Sequence, residues 1–419
     1  MIKQNHIRFW ATLLVMGWGS MLHASGFQIA EMGTRAMAMS NAFTAVADDP
    51  SAQWYNPAAA VFLPGKQLMI GSPLIYVPSS DFTTNTLNPA HPDSTSSASK
   101  TLVVPHLYAS HNLEGQPMTL GLGINAPFGL ETDWPANGPF AISNTFSQLN
   151  MTNINPNLAI QANENLAIAG GVNYVKLFKV HLNNSAQLLT GHGDGWGGNL
   201  ALLYKKNQYR VGLTYRSRVT IDIENGTVTG GPALATLGAP GAVGQTGKVS
   251  TRVVLPDQVN LGLAWQAKED WLLSLDIDWT NWDTFDNLDF HYQPSVVATT
   301  ITGGTNFRTL PENWSSGTAI RLGADWSYSN RLDLMAGYSY DPTPVDDVHF
   351  SPSIPDRDRQ LFSLGGDFHV NSSWDVQAAY MFVLFKDRRQ TASTGNDAVR
   401  NGTYSGDVHL FSVSLVYRL

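Results

Sequence analysis

One rhythm governs this chain from about Gln67 to Leu419: two strand-like segments, a tiny polar turn, then a long loop. The short turns read Leu113-Glu114-Gly115-Gln116, Ala162-Asn163-Glu164-Asn165, Lys205-Lys206-Asn207-Gln208, Ala267-Lys268-Glu269-Asp270, Ser329-Asn330 and Asn371-Ser372-Ser373. Between them lie Gly/Ser/Thr/Asn-rich stretches of about 13 to 25 residues. Short turns at one end and long loops at the other characterise a transmembrane β-barrel. Six turns and seven loops predict about fourteen antiparallel strands, with both chain ends on the turn side.

Strand side chains alternate between faces, so a barrel wall sends one set to lipid and the other to the lumen. Val211, Leu213, Tyr215, Val219, Ile221 and Ile223 share one predicted face, broken only by Ser217; Arg210, Thr214, Arg216, Arg218 and Asp222 share the other. Trp271, Leu273, Leu275, Ile277 and Trp279 oppose Ser274, Asp276, Asp278 and Thr280. In the last strand Phe411, Val413, Leu415, Tyr417 and Leu419 oppose Ser412, Ser414 and Arg418. A soluble sandwich alternates too, but its connections would not divide by length between two ends. Trp265, Trp271, Trp279, Trp282, Trp326 and Tyr328 fall near predicted strand ends, as interfacial aromatic girdles do.

The N-terminus reads as an address. Lys3 and Arg8 precede the apolar run Phe9 to Leu22, followed by His23-Ala24-Ser25. This pattern predicts a signal peptide over residues 1–24, cut after Ala24. Charged residues make up only 14% of the chain and cysteine is absent, which excludes disulfide and thiolate-metal frameworks. The formal charge of −8 argues against nucleic acid as a partner.

Residues 25–65 do not alternate. Ala36 to Phe43 is helix-compatible and stopped by Asp48-Asp49-Pro50, and Asn56-Pro57-Ala58 places a capping Asn before a Pro suited to the first helical position. Fourteen strands enclose more space than side chains fill, so this segment is expected to plug the lumen of a barrel formed by residues 66–419.

Ser25-Gly26-Phe27-Gln28, Ala47-Asp48-Asp49 and Asn56-Pro57-Ala58 resemble the N-terminal hatch of the FadL family of outer-membrane long-chain fatty-acid transporters. The resemblance continues in order through Asn125-Ala126-Pro127-Phe128-Gly129-Leu130, Leu213-Thr214-Tyr215-Arg216-Ser217, Leu255-Pro256-Asp257, Trp279-Thr280-Asn281-Trp282 and Ile354-Pro355-Asp356-Arg357-Asp358-Arg359. It implies an outer-membrane, monomeric, passive transporter without cofactor, metal or catalytic activity. Its partners would be hydrophobic molecules (long-chain fatty acids or aromatic hydrocarbons) and outer-membrane lipids. Ligand would enter at the extracellular loops and leave sideways through a gap at a kinked third strand. A general diffusion porin is the competing reading.

On that pattern the kink is expected at Gly123, Asn125, Pro127 and Phe128, since proline cannot donate to a ladder and glycine weakens one. Ser25, Gly26, Asn56, Pro57 and Ala58 are the expected hatch residues, with Asn56-Pro57-Ala58 backing the gap. Phe27, Lys179 and Arg216 are the ligand-binding candidates; the two cations are inward by strand parity and suited to a carboxylate. The alternative for Arg216 is a lumenal ion pair with Asp276, Asp278 or Asp222. Fatty-acid-transporting members carry a lysine near the region read here as Ser315-Ser316-Gly317, and its loss keeps a neutral substrate open. Asp48-Asp49 and Asp346-Asp347 fall at turns, where solvated or capping aspartates are expected, and His181 and His192 lack ligand-like spacing. No G-x-S-x-G elbow occurs.

Overall fold

In the computed structural model, residues 26–84, 94–391 and 398–419 are described; residues 1–24, expected to be a signal peptide, and Ser25 lie outside them. Fourteen antiparallel strands form the wall. β1 is Lys66–Val77, β2 runs as Lys100–Val103 and His106–Asn112, and β3 as Met118–Asn125 and Gly129–Asp133. β4 (Phe146–Gln161), β5 (Leu166–Asn183) and β6 (Gln187–Lys206) are continuous. β7 (Tyr209–Arg216, Val219–Gly230) and β8 (Thr246–Leu255, Gln258–Lys268) each break once. So do β9 (Trp271–Thr280, Asn287–Tyr292) and β10 (Phe307–Pro311, Gly317–Ser329). β11 (Leu332–Asp341), β12 (Arg359–His369), β13 (Trp374–Phe385) and β14 (Val408–Arg418) complete the cylinder. It closes by pairing β1 with β14, from Gln67↔Arg418 to Tyr76↔His409.

All six short turns stand where the rhythm puts them, but the long loops are largely strand. β5 and β6 have 18 and 20 residues and turn over at 184–186, whereas crossing a membrane takes about 9–11. The surplus projects beyond the bilayer on the loop side. There the polarity of the wall inverts. Leu213 and Tyr215 of lower β7 face outward, whereas Val219, Ile221 and Ile223 of upper β7 are buried inside, at 4%, 0% and 3% exposure. The break at Ser217-Arg218 resets the register against β6, so the single predicted apolar face of β7 is two opposite faces. Upper β7 meets water with Asp222, paired to Arg252 of β8 at 2.7 Å. The break in β8 at Pro256-Asp257 has the same effect.

These breaks are stitched by side chains. The Asp257 carboxylate accepts from the Arg218 backbone N–H (3.0 Å), its guanidinium (2.8 Å) and Asn281 (3.1 Å). Trp282, expected in the girdle, lies in the break of β9 and is buried instead. Beyond the mouth, Asp81–Thr84, Ser94–Ser96, Arg388–Gln390 and Gly402–Ser405 form a small sheet joining the first and last loops.

Residues 26–65 fill the lumen. α1 (Thr34–Ala38) and α2 (Ala52–Tyr55) are short, and Asn56 caps the 3₁₀ turn Pro57–Phe62 by accepting from Ala58 N at 3.1 Å. α1 ends earlier than its composition predicts, because Ser40 and Asn41 take φ of +53° and +64° and turn the chain back. The wall admits this plug closely: a Cβ on Gly212 would overlap Thr44, and one on Gly337 would overlap Met39. Wall side chains satisfy the plug's backbone. Asp276 accepts from Phe43 N and Thr44 N (2.9 and 2.7 Å), and Ser339 and Ser363 donate to the carbonyls of Ser40 and Ala38 (2.7 and 2.9 Å).

Candidate functional site

The third strand does not pair on both sides. Its lower segment is laddered to β2, from Leu107↔Ile124 to Asn112↔Thr119. Its upper segment pairs with β4 alone, Gly129↔Asn150 to Asp133↔Phe146. The upper segment of β2 pairs with β1, Leu74↔Val103 to Val77↔Lys100. Among the described residues no ladder pair joins these two upper segments. Pro105 and Pro127, which have no N–H to donate, stand at the two edges of the resulting gap.

Backbone groups facing lipid unpaired are too costly to persist, and here the hatch N-terminus meets them. Gln28 bridges Phe128, Ile29 N donates to the Pro127 carbonyl (2.9 Å) and Gly129 N donates to the Phe27 carbonyl (3.1 Å). The loop-side rim is tied by Lys100, whose ammonium lies 3.2 Å from Glu131 and 3.0 Å from Asp133. Between hatch, gap and rim lies a cavity of about 540 Å³. It runs from Leu361, Val383 and Leu410 on the far wall to Val103 and Phe178 at the outer surface, which are 63% and 60% exposed.

Phe27 lines this cavity and also centres a ring cluster. Its centroid lies 5.9, 4.9, 5.4 and 5.8 Å from those of Phe128, Trp282, Phe285 and Trp314. The cluster is continuous with the apolar upper interior built from Met151, Val175, Leu177, Val219, Ile221 and Leu255. Packed apolar side chains are therefore continuous from the upper interior to Phe27, which also lines the cavity at the wall gap. Gly26 begins the hatch with φ of +52°, and its N–H donates to the Asp356 carboxylate at 3.2 Å. Burial pushes that carboxyl above the usual range, with Arg359 pulling the other way.

The other expected site residues divide by place. Gly123 sits inside an intact ladder, opposite Tyr108 and Asn155, where Tyr108 and Gln53 pack against it. Asn125 closes the ladder, donating to the Tyr108 hydroxyl and accepting from Asn153, both at 3.0 Å. Asn56, Pro57 and Ala58 lie away from the gap. Asn56 donates to the carbonyls of Thr44 (2.8 Å) and Leu202 on β6 (3.1 Å), so the backing comes from residues 27–29. Arg216 points inward but lies 3.4 Å over the Trp54 ring and donates to that residue's carbonyl at 3.0 Å. None of the aspartates weighed as its partners takes it: Asp276 holds the hatch, Asp278 pairs with Arg321 at 2.6 Å and Asp222 with Arg252. Lys179 is exposed, because a bulge between Asn150 and Met151 shifts the register and turns Val180 inward in its place.

Of the aspartates expected to be solvated or capping, Asp49 and Asp346 cap, accepting from Ser51 N at 2.8 Å and His349 N at 2.7 Å, whereas Asp48 is ion-paired to Arg35 at 3.1 Å and Asp347 to Arg388 at 2.8 Å. Asp367, His369 and Asp375 stand close enough together to hold an ion. Most of their atoms are already engaged, His369 with Asp375 at 2.9 Å and Asp333 at 3.3 Å, and Asp367 Oδ2 with Arg35 at 3.2 Å. Sequence reasoning passed over Lys100, Glu131 and Arg359. Only Arg359 carried a signal, within the Ile354–Arg359 stretch.

A closed outer-membrane barrel with a filled lumen and a hatch-backed opening in its side is the class these features define. The chain matches, over residues 17–419, the family described as outer membrane protein transport protein (OMPP1/FadL/TodX), and it belongs to that family. The long-chain fatty acid transport protein of Escherichia coli is 25% identical over 399 residues, 85% of this chain and 87% of that one. A FadL homologue of Pseudomonas aeruginosa shares the fold with a TM-score of 0.80 at 17% identity, over 94% of this chain and 99% of that one. The toluene transporter TodX of Pseudomonas putida gives 0.70 at 18% identity, over 92% and 98%.

Proposed function

We propose that this chain carries long-chain fatty acids or similar hydrophobic molecules across the outer-membrane surface and releases them sideways into the bilayer. The observation that carries the reading is the unpaired stretch between upper β2 and upper β3, with an apolar cavity behind it. Ligand captured at the loop mouth descends the apolar upper interior, passes the Phe27 cluster, occupies the cavity and leaves between Val103 and Leu130. Each methylene kept out of water contributes about 0.8 kcal/mol, so a continuous apolar lining supports passive movement. A cavity of this size falls in the range of small-molecule sites. The filled lumen weighs against a general porin, which needs an aqueous channel. Closure through β1 and β14 supports a self-sufficient monomer whose partners are its ligand and the surrounding lipids.

The test is obstruction of the cavity. Gly129 lines it, and a Cβ there would lie 3.0 Å from the Ile29 side chain; a phenylalanine would fill the passage. Cells relying on Gly129→Phe for uptake of labelled oleate are expected to lose most of their uptake. Heat-modifiable gel mobility, which reports barrel assembly, is expected to stay normal. Uptake at the unaltered rate would refute lateral release. Mass spectrometry of molecules retained by the purified protein would identify the substrate, and retained aromatic hydrocarbons would favour the aromatic alternative.

A further inference from the structure

We propose that Arg359 receives the polar head of a ligand lying in the lateral cavity and makes the protein prefer ionised carboxylates to neutral chains. This deepens the transport reading above and rests on it. Arg359 is the first residue of β12 and the only lysine or arginine among the described residues that line the cavity. The lining around it is otherwise mostly aliphatic and aromatic, with Leu361, Val383, Phe385 and Leu410 nearby and Val103 and Phe178 at the outer end. A chain with one polar end fits that lining in one sense, head at Arg359 and tail toward the gap.

The hydrogen bonding of the guanidinium leaves capacity for such a head. Arg359 donates to Asp341 through a long contact of 3.3 Å. Asp341 also faces Arg321 at 3.7 Å, and Arg321 is held more closely by Asp278 at 2.6 Å. The Nε of Arg359 is buried without a hydrogen-bond partner, as is Nη1 of Arg321. Buried donors left unpaired are costly, and a guanidinium offers five of them in a fork matched to a carboxylate. The cavity's two acids are occupied: Glu131 by Lys100 and by Gln148 at 2.8 Å, Glu31 by Asn41 at 3.1 Å. Gln28 adds an amide beside Arg359 and Arg321 where the cavity meets a small polar pocket. In this arrangement the tail enters the bilayer first and the head leaves last.

The experiment compares palmitate with hexadecanol, which share a chain length and differ in charge, by titration into purified protein in mildly alkaline buffer. Wild type is expected to bind palmitate more tightly. Arg359→Gln is expected to weaken palmitate by about tenfold to a hundredfold, the worth of hydrogen bonds to a charged group, with hexadecanol unchanged. Arg359→Lys, which keeps the charge, is expected to restore part of the preference. Both variants are first checked for barrel assembly by heat-modifiable mobility. Equal weakening of the two ligands would show that Arg359 only supports the wall, and no weakening of either would show that it touches neither; both results overturn the assignment while leaving transport intact. Failure of the wild type to bind either compound would instead overturn the transport reading, and this inference with it.

Discussion

Gly26 is held by two constraints that few residues meet together. Its backbone is left-handed at φ of +52°, which costs a residue with a Cβ roughly 1–2 kcal/mol. A Cβ there would also overlap the Trp314 ring, and overpacking adds about 1–3 kcal/mol. Gly26→Ala is therefore expected to detach residues 26–29 from the third strand without unfolding the barrel. Limited proteolysis of the purified protein would show new cleavage near the hatch N-terminus, with heat-modifiable mobility retained. Continued protection of that segment would show the turn is not the constraint. Single residues of this kind were legible only through resemblance. Arg216 was selected by parity and does point inward, yet its charge is spent on Trp54. Lys179 was selected by the same rule, and one bulge reverses the rule locally. Arg359 opens a strand after a long loop, where alternation offers nothing to read.

At the scale of elements, turns and lower strands were the legible part, because period two and short polar turns are local properties. The breaks were not. Whether Ser217-Arg218 continues a strand or resets it depends on the neighbour it pairs with, and Asp257, from the next strand, settles that. Pro127 was readable as an interruption; its partner in the gap, Pro105, acts through the absence of pairing between two segments distant in sequence. The Lys100 rim belongs to the same class. Its side chain is partly exposed, so its ion pairs contribute only about 0–1 kcal/mol of stability, and its effect is to hold the two upper segments together. Lys100→Ala is expected to leave thermal stability within about 1 kcal/mol and to raise hydrogen–deuterium exchange across residues 129–133. Exchange in β4 and β5 should not change. Unaltered protection of 129–133 would assign the rim to the Ala98 N to Asp133 carbonyl bond (2.8 Å) instead.

For the whole molecule, a fourteen-strand cylinder needs its plug held against the wall, and two separate sets of contacts do this. At one side residues 27–29 join the third strand. At the other, the buried guanidinium of Arg35 pairs with Asp48 (3.1 Å) within the hatch and with Asp333 (3.1 Å), Asp367 (3.2 Å) and Asp325 on β10–β12. Removing one partner of a buried pair costs about 3–5 kcal/mol, since the remaining charges stay uncompensated. Arg35→Ala leaves four carboxylates around an empty position, and the hatch is expected to yield on that side first. In planar bilayers the unaltered protein is expected to stay closed, while Arg35→Ala shows conductance steps and Arg35→Lys falls between. The wall gap lies on the opposite contact set, so oleate uptake by Arg35→Ala should persist. Gly129→Phe should do the reverse, losing uptake without conducting ions. If the two properties instead rose and fell together in both variants, ions and hydrophobic ligands would share one path, and the separation of an apolar side exit from a sealed aqueous lumen would be wrong.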